Sequence, residues 1–171
     1  MGDRSRLKKL LILGFVLTIL LIAAFAIIHL NASAILHEGL ARSLETFEFH
    51  SISIVSETLS PPSIDLNISF VLKSLADFSI TIESINIPLY INNNTIGTAT
   101  SSSKGLTFVL SSRQNVTFYT IRHIIKSEII ESIKNPPFVL SSNATLKGCA
   151  SYLLTTESRT HLLSISQTVQ P

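Results

Sequence analysis

Ile64-Asp65-Leu66-Asn67-Ile68-Ser69-Phe70-Val71-Leu72-Lys73 decides how this chain folds. Ile64, Leu66, Ile68, Phe70 and Leu72 occupy every second position, with Asp65, Asn67, Ser69 and Lys73 between them. Successive side chains of a strand point to opposite faces, so the alternation predicts a strand with one buried and one wetted face. A helix would scatter the same five apolar residues over most of its circumference. Pro61-Pro62 stands just before the run and blocks a helix leading into it.

The same period continues downstream. Phe78, Ile80 and Ile82 alternate; then, after an offset at Glu83-Ser84, so do Ile85, Ile87, Leu89 and Ile91. The change of parity predicts a bulge. Pro88 has no amide to donate and predicts an edge strand or a bulge position. Asn92-Asn93-Asn94 reads as a hairpin tip, because Asn tolerates positive φ, and Thr95–Thr100 as the returning strand. Gly105–Leu110 and Asn115–Ile121 read as two strands divided by the polar turn Ser111-Ser112-Arg113. Arg122–Lys134 reads as one helix, with Ile125, Ile129, Ile130 and Ile133 on its apolar side and Asn135-Pro136-Pro137 as its stop. Phe138–Lys147, Cys149–Thr156 and Thr160–Thr168 read as three closing strands. About eight short strands with turn signals between them predict an antiparallel sandwich or barrel.

Upstream the chain changes character. Residues Leu10–Leu30 contain no Asp, Glu, Lys or Arg. At 1.5 Å per residue, such a run is long enough as a helix to cross a hydrocarbon core of about 30 Å. It exceeds the roughly 7–15 apolar residues of a signal-peptide core, which predicts an uncleaved anchor. Asp3, Arg4, Arg6, Lys8 and Lys9 precede it with a net charge of +3, out of +2 for the whole chain. Basic residues stay on the cytoplasmic side. Four parts are therefore expected: a cytoplasmic tail (1–9), a transmembrane helix (10–30), a juxtamembrane helix or stalk (31–48), and an extracytoplasmic β domain (49–171). In the third part Leu36, Leu40, Leu44 and Phe47 recur at helical spacing, and Gly39 weakens that helix.

The outer part resembles the type 2 late-embryogenesis-abundant domain, also called the water-stress and hypersensitive-response domain, over about residues 49–168. The resemblance is carried by Ile64–Leu72, by Phe78-Ser79-Ile80-Thr81-Ile82, by Pro88-Leu89-Tyr90-Ile91-Asn92 with Ile96-Gly97 following, by the late helix, and by Lys147-Gly148. The family often has Asn-Pro before the Phe, where this chain has Leu75-Ala76. It is most similar to membrane-anchored archaeal members. The resemblance implies an immunoglobulin- or fibronectin-III-like antiparallel β-sandwich with one late crossover helix. It also implies links to stress tolerance, membrane-surface roles and lipid handling, and brings no catalytic residues with it.

The chain is 46% hydrophobic and 14% charged, against about 25% charged in an ordinary soluble domain. Ser, Thr and Asn supply much of the remaining polarity, a surface expected to stay solvated in acid. Sequons stand at Asn31, Asn67, Asn93, Asn115 and Asn143, each with Ser or Thr two residues on. They are glycosylation candidates, Asn31 the poorest because it adjoins the membrane. His29, His37, His50, His123 and His161 show no metal-ligand spacing, and no Gly-rich phosphate loop or nucleophile elbow occurs. Cys149 is the single cysteine and reads as a small apolar side chain. No basic patch for nucleic acid stands out. These readings predict a non-enzymatic, membrane-tethered domain without cofactor or metal, its partners being the membrane and a lipid or a surface protein. The alternatives are a module that binds or transfers a lipid or small apolar ligand, distinguished by an apolar cavity open at one end, and a subunit of a surface filament.

Overall fold

A computed structural model describes residues 3–100, 108–152 and 155–170, with side chains from Lys8 onward. Helix α1 (Asp3–Leu44) is continuous for 42 residues and contains both the expected span and the expected stalk. The two halves obey different rules. The most apolar window of the first half has a mean hydropathy of 3.1 with none of it buried, so it is long and apolar enough to cross a membrane. In the second half Ala32, Leu36, Leu40 and Leu44 form an i, i+4 stripe at most 3% exposed. The periodicity of Leu36, Leu40 and Leu44 is therefore that of a helix packed on the domain.

Eight strands follow among the described residues. β1 (Glu48–Leu59), β2 (Pro62–Lys73) and β6 (Asn115–Ile124) form one antiparallel sheet in the order β1-β2-β6. The other contains β3 (Ile80–Ile91), β4 (Asn94–Thr100), β5 (Phe108–Leu110), β7 (Phe138–Tyr152) and β8 (Thr155–Val169). Its order is β4-β3-β7-β8, with β5 beside β3 on the edge shared with β4. Helix α2 (Ser127–Lys134) connects β6 to β7 across the two sheets and buries Ile129, Ile130 and Ile133. The fold is thus mainly β, two antiparallel sheets around one core, with a long N-terminal helix and a short late one.

The deciding run is the middle strand of the three-stranded sheet, and Ile64, Leu66, Ile68, Phe70 and Leu72 are all at most 1% exposed. The expected bulge is present as a register shift between Ile82 and Ser84. Asn92 and Asn93, at φ 47° and 67°, form the β3–β4 turn, which requires the left-handed region. Arg113 turns the chain before β6 at φ 54°.

Three expectations need correction, and a fourth is only partly described. Pro88 is in a central strand, flanked by β4 and β7, one residue before the β3–β4 register shift at Leu89/Tyr90. The helix expected over Arg122–Lys134 starts only at Ser127, because Arg122, His123 and Ile124 continue β6 opposite Leu66, Asp65 and Ile64. The three closing strands are two, since Gly148 and the residues around it pair without a break from Phe138↔Val169 to Tyr152↔Thr155. Gly105–Leu110 is described only from Phe108; residues 105–107, like 153–154, lie outside the described residues.

The junction between helix and sandwich is specific. The Thr46 hydroxyl donates to Ser43 O or Lys73 O (2.7 and 2.8 Å) and accepts from Lys73 N–H at 2.8 Å. The buried Ser43 hydroxyl accepts from Leu75 N–H at 3.0 Å. A Cβ on Gly39 would lie 2.5 Å from Cζ of Phe78, so glycine lets the 74–79 loop approach the helix. From this junction an aromatic row crosses the core. Phe47 stacks on Phe70 at 5.5 Å, Phe70 on Phe118 at 5.4 Å, and Phe118 meets Phe108 at 6.2 Å.

Candidate functional site: the cleft between the sheet edges

The aromatic row ends at an opening. Along β6, Val116, Phe118, Thr120, Arg122 and Ile124 alternate toward the other sheet, and β4 and β5 lie across from them at the edge of β3. A cleft of about 670 Å³ separates these edges. That volume falls within the roughly 300–1,000 Å³ of small-molecule sites. Phe70, Ile85, Ile87, Phe108, Val116 and Phe118 make the walls; Thr98, Thr100, Thr120 and Arg122 supply the polar groups.

Arg122 is the one charged side chain among the lining residues described. Its Nη2 donates to Thr98 O of β4, bridging the sheet edges. Its Nε is buried without a hydrogen-bond partner. Burial pushes the guanidinium below its ordinary value. An arginine remains charged under such a shift, so the cleft combines apolar walls with a positive group and an unused N–H. A buried donor without an acceptor costs about 1–3 kcal/mol, which a ligand's acceptor could offset. Gly97 sits beneath the guanidinium; a Cβ there would lie 3.7 Å from Nη1, an ordinary contact, so it is the φ of +114° that calls for glycine.

The residues singled out by sequence do not gather here. Asn93 is exposed at the β3–β4 turn, Asn115 at the start of β6, and Asn31 on α1 at the end of the apolar segment. Asn143 is exposed and accepts from the Ser164 hydroxyl at 2.8 Å. Asn67 is on the outer face of β2, but half-buried between Ser53 and Ile121. The histidines are dispersed too. His123 meets Asp65 at 2.7 Å, His29 meets Thr155, and His37 meets Arg159. No group of three or more His, Cys, Asp or Glu that could hold a metal occurs among the described residues. Arg113 pairs with Asp77 at 2.6 Å. Cys149 is half-buried beside the Lys147–Glu83 ion pair, and burial, then Glu83, pushes its thiol up. Such a thiol is a poor nucleophile at neutral pH.

The cleft escapes a reading by motif because its one charged group, among the lining residues described, is a single Arg. The available signal is the period of two through Val116, Phe118, Thr120, Arg122 and Ile124, which carries β6 past Ile121 and turns Arg122 inward.

No protein-family model and no curated protein matches the chain. Solved structures with a similar arrangement exist at very low identity. One is an X-ray structure of a structural-genomics target, 6% identical, covering 73% of this chain and 88% of that one at a TM-score of 0.47. A protein from Archaeoglobus fulgidus is 7% identical over 72% of this chain and 99% of its own, at 0.34. A solution structure from Arabidopsis thaliana is 10% identical over 73% of this chain and 80% of its own, at 0.48.

Proposed function

We propose that this chain is a single-pass, membrane-tethered domain that holds an apolar ligand with a polar or anionic head in the cleft between its sheets. The single observation behind it is an apolar cleft of about 670 Å³ with a half-buried Arg122 at its rim, whose buried Nε–H has no partner. The apolar walls would take a hydrocarbon chain, and the guanidinium would take a carboxylate or phosphate oxygen. The net +3 flank before the span favours an extracytoplasmic domain. On that reading the exposed sequons Asn93, Asn115 and Asn143 are open to glycosylation, and the resemblance to the type 2 late-embryogenesis-abundant domain supplies a stress-related setting.

The test uses the full chain in its membrane with a photoactivatable fatty acid. Crosslinks are expected on the peptides containing Phe108 and Phe118, and should be lost in Thr98→Trp, which fills the rim, or Val116→Trp, which fills the wall. Labelling confined to residues 10–30 would show only bulk lipid contact and would reject the reading.

A further inference from the structure

The β7–β8 hairpin outgrows its sheet. β3 pairs with β7 only as far as Thr81↔Cys149, yet the hairpin continues through Ala150↔Glu157 and Ser151↔Thr156 to Tyr152↔Thr155. Beyond β3 this two-stranded arm has α1 as its support. Three polar contacts join them in sequence. Thr155 Oγ1 lies 2.8 Å from His29 Nδ1, the Ser33 hydroxyl donates to Glu157, and Arg159 Nη1 lies 2.7 Å from His37 Nε2. The spacing is four residues on the helix and two on the strand. Four helical residues rise about 6 Å and two strand residues about 6.7 Å, so helix and strand advance side by side in register. Small residues allow the close approach: Ala32 and Ala150 are each 3% exposed, and Thr155 is 5% exposed.

This register sets the height of the arm. His29 is next to the last residue of the apolar segment Leu10–Leu30, whose 21 residues span about 31 Å, matching a hydrocarbon core of about 30 Å. The last rung of the hairpin is therefore level with the end of the segment. Tyr152, half exposed at 52%, stands on that rung. A tyrosine has an apolar ring and a hydroxyl that favour the boundary between hydrocarbon and headgroups. The ordinary alternative is a hairpin tip in water, above a flexible tether; the His29, Ser33 and His37 contacts leave the tether no slack.

We infer that the β7–β8 hairpin makes a second membrane contact at its last described rung, Tyr152↔Thr155, with Tyr152 in the headgroup layer of the leaflet from which α1 emerges, so that the domain sits on the lipid in one orientation. The occupant of this surface is the bilayer itself, because the helix that carries the arm delivers it there. The inference rests on α1 spanning the membrane through Leu10–Leu30.

The chain contains no Trp, so a single introduced one reports its own surroundings. Tyr152→Trp, Leu59→Trp and Phe15→Trp are each placed in the full chain in phosphatidylcholine vesicles containing a fraction of headgroup-nitroxide or acyl-nitroxide lipid. Leu59, 81% exposed in the β1–β2 turn, is the distant control, and Phe15 reports the span. Emission of Tyr152→Trp is expected at shorter wavelength than that of Leu59→Trp, with stronger quenching by the headgroup nitroxide. Phe15→Trp should be quenched by the acyl nitroxide. If Phe15→Trp is quenched while Tyr152→Trp behaves like Leu59→Trp, the second contact is overturned and the span stands. If Phe15→Trp is not quenched, the span reading fails and the second contact with it.

Discussion

The two long edges of the sandwich meet the same problem and solve it differently. At the β8 edge, α1 lies over the inner faces of β7 and β8, and its stripe of Leu36, Leu40 and Leu44 is fully buried. At the other edge β6 faces β4 and β5 with no helix over the gap among the described residues, and the cleft remains. Both edges present apolar residues inward, Leu163 and Ile165 on β8 and Val116 and Phe118 on β6, beside polar ones. A gap between sheets is sealed when another element supplies enough apolar surface to fill it, and α1 does so at one edge only. Arg122, reaching across to Thr98, is a polar bridge at the edge that α1 does not cover.

Substitutions can break this contrast. The largest effect is expected from Leu40→Ala, which removes a fully buried side chain from the sealed edge: about 2–5 kcal/mol lost, read from denaturant unfolding of the full chain in detergent. Val116→Ala in the half-buried wall of the open edge should cost about 1 kcal/mol or less. Equal losses would mean that the cleft is packed as tightly as the core. Next comes Gly39→Val, expected to lose about 1–3 kcal/mol, because Phe78 occupies the place of the new side chain. A neutral result would show that the loop can withdraw from the helix. Arg122→Leu should leave the melting temperature nearly unchanged, since it removes a desolvated charge together with one hydrogen bond. It should weaken capture of the photoactivatable fatty acid about tenfold, the equivalent of ~1.4 kcal/mol; unchanged capture would take Arg122 out of the site.

The smallest effect concerns pH. Asp65 is held below its ordinary value first by the hydrogen bond from Ser56 and then by His123. A carboxylate lowered in the folded state stabilises above its unfolded value of 3.8 and loses that contribution as pH falls through its folded value. Wild type should therefore be slightly more stable than Asp65→Asn at pH 6, and the difference should shrink as pH falls below 3.8. Glu83, lowered by Lys147, acts in the same direction. A difference that grows in acid would reverse the assignment. Both groups are solvent-accessible, so the effect is screened.

Much of the architecture was legible from local pattern. Leu10–Leu30 announces a membrane-length helix because composition alone makes it so. Ile64–Leu72 announces a strand because period two admits few other readings, and Asn92-Asn93 announces a turn because few residues adopt positive φ. Where the structure departed from these readings, pairing partners overruled the pattern. Arg122–Ile124 looks like the first turn of a helix until Asp65 and Leu66 stand opposite it. Pro88 looks like an edge marker until β4 and β7 flank it. Gly148 looks like a break until Arg159 pairs with it.

Local periodicity and composition state how each segment can bury its own apolar face, and so the sequence by itself determined a helix long and apolar enough to cross a membrane, the β class and the amphipathic end of α1. Only the tertiary structure decided that α1 seals one edge, that Arg122 bridges the other, and that the β7–β8 arm ends level with His29. Those facts depend on which segments meet across more than a hundred residues of chain, and the hydrogen-bond register between helix and strand is not encoded in either segment alone.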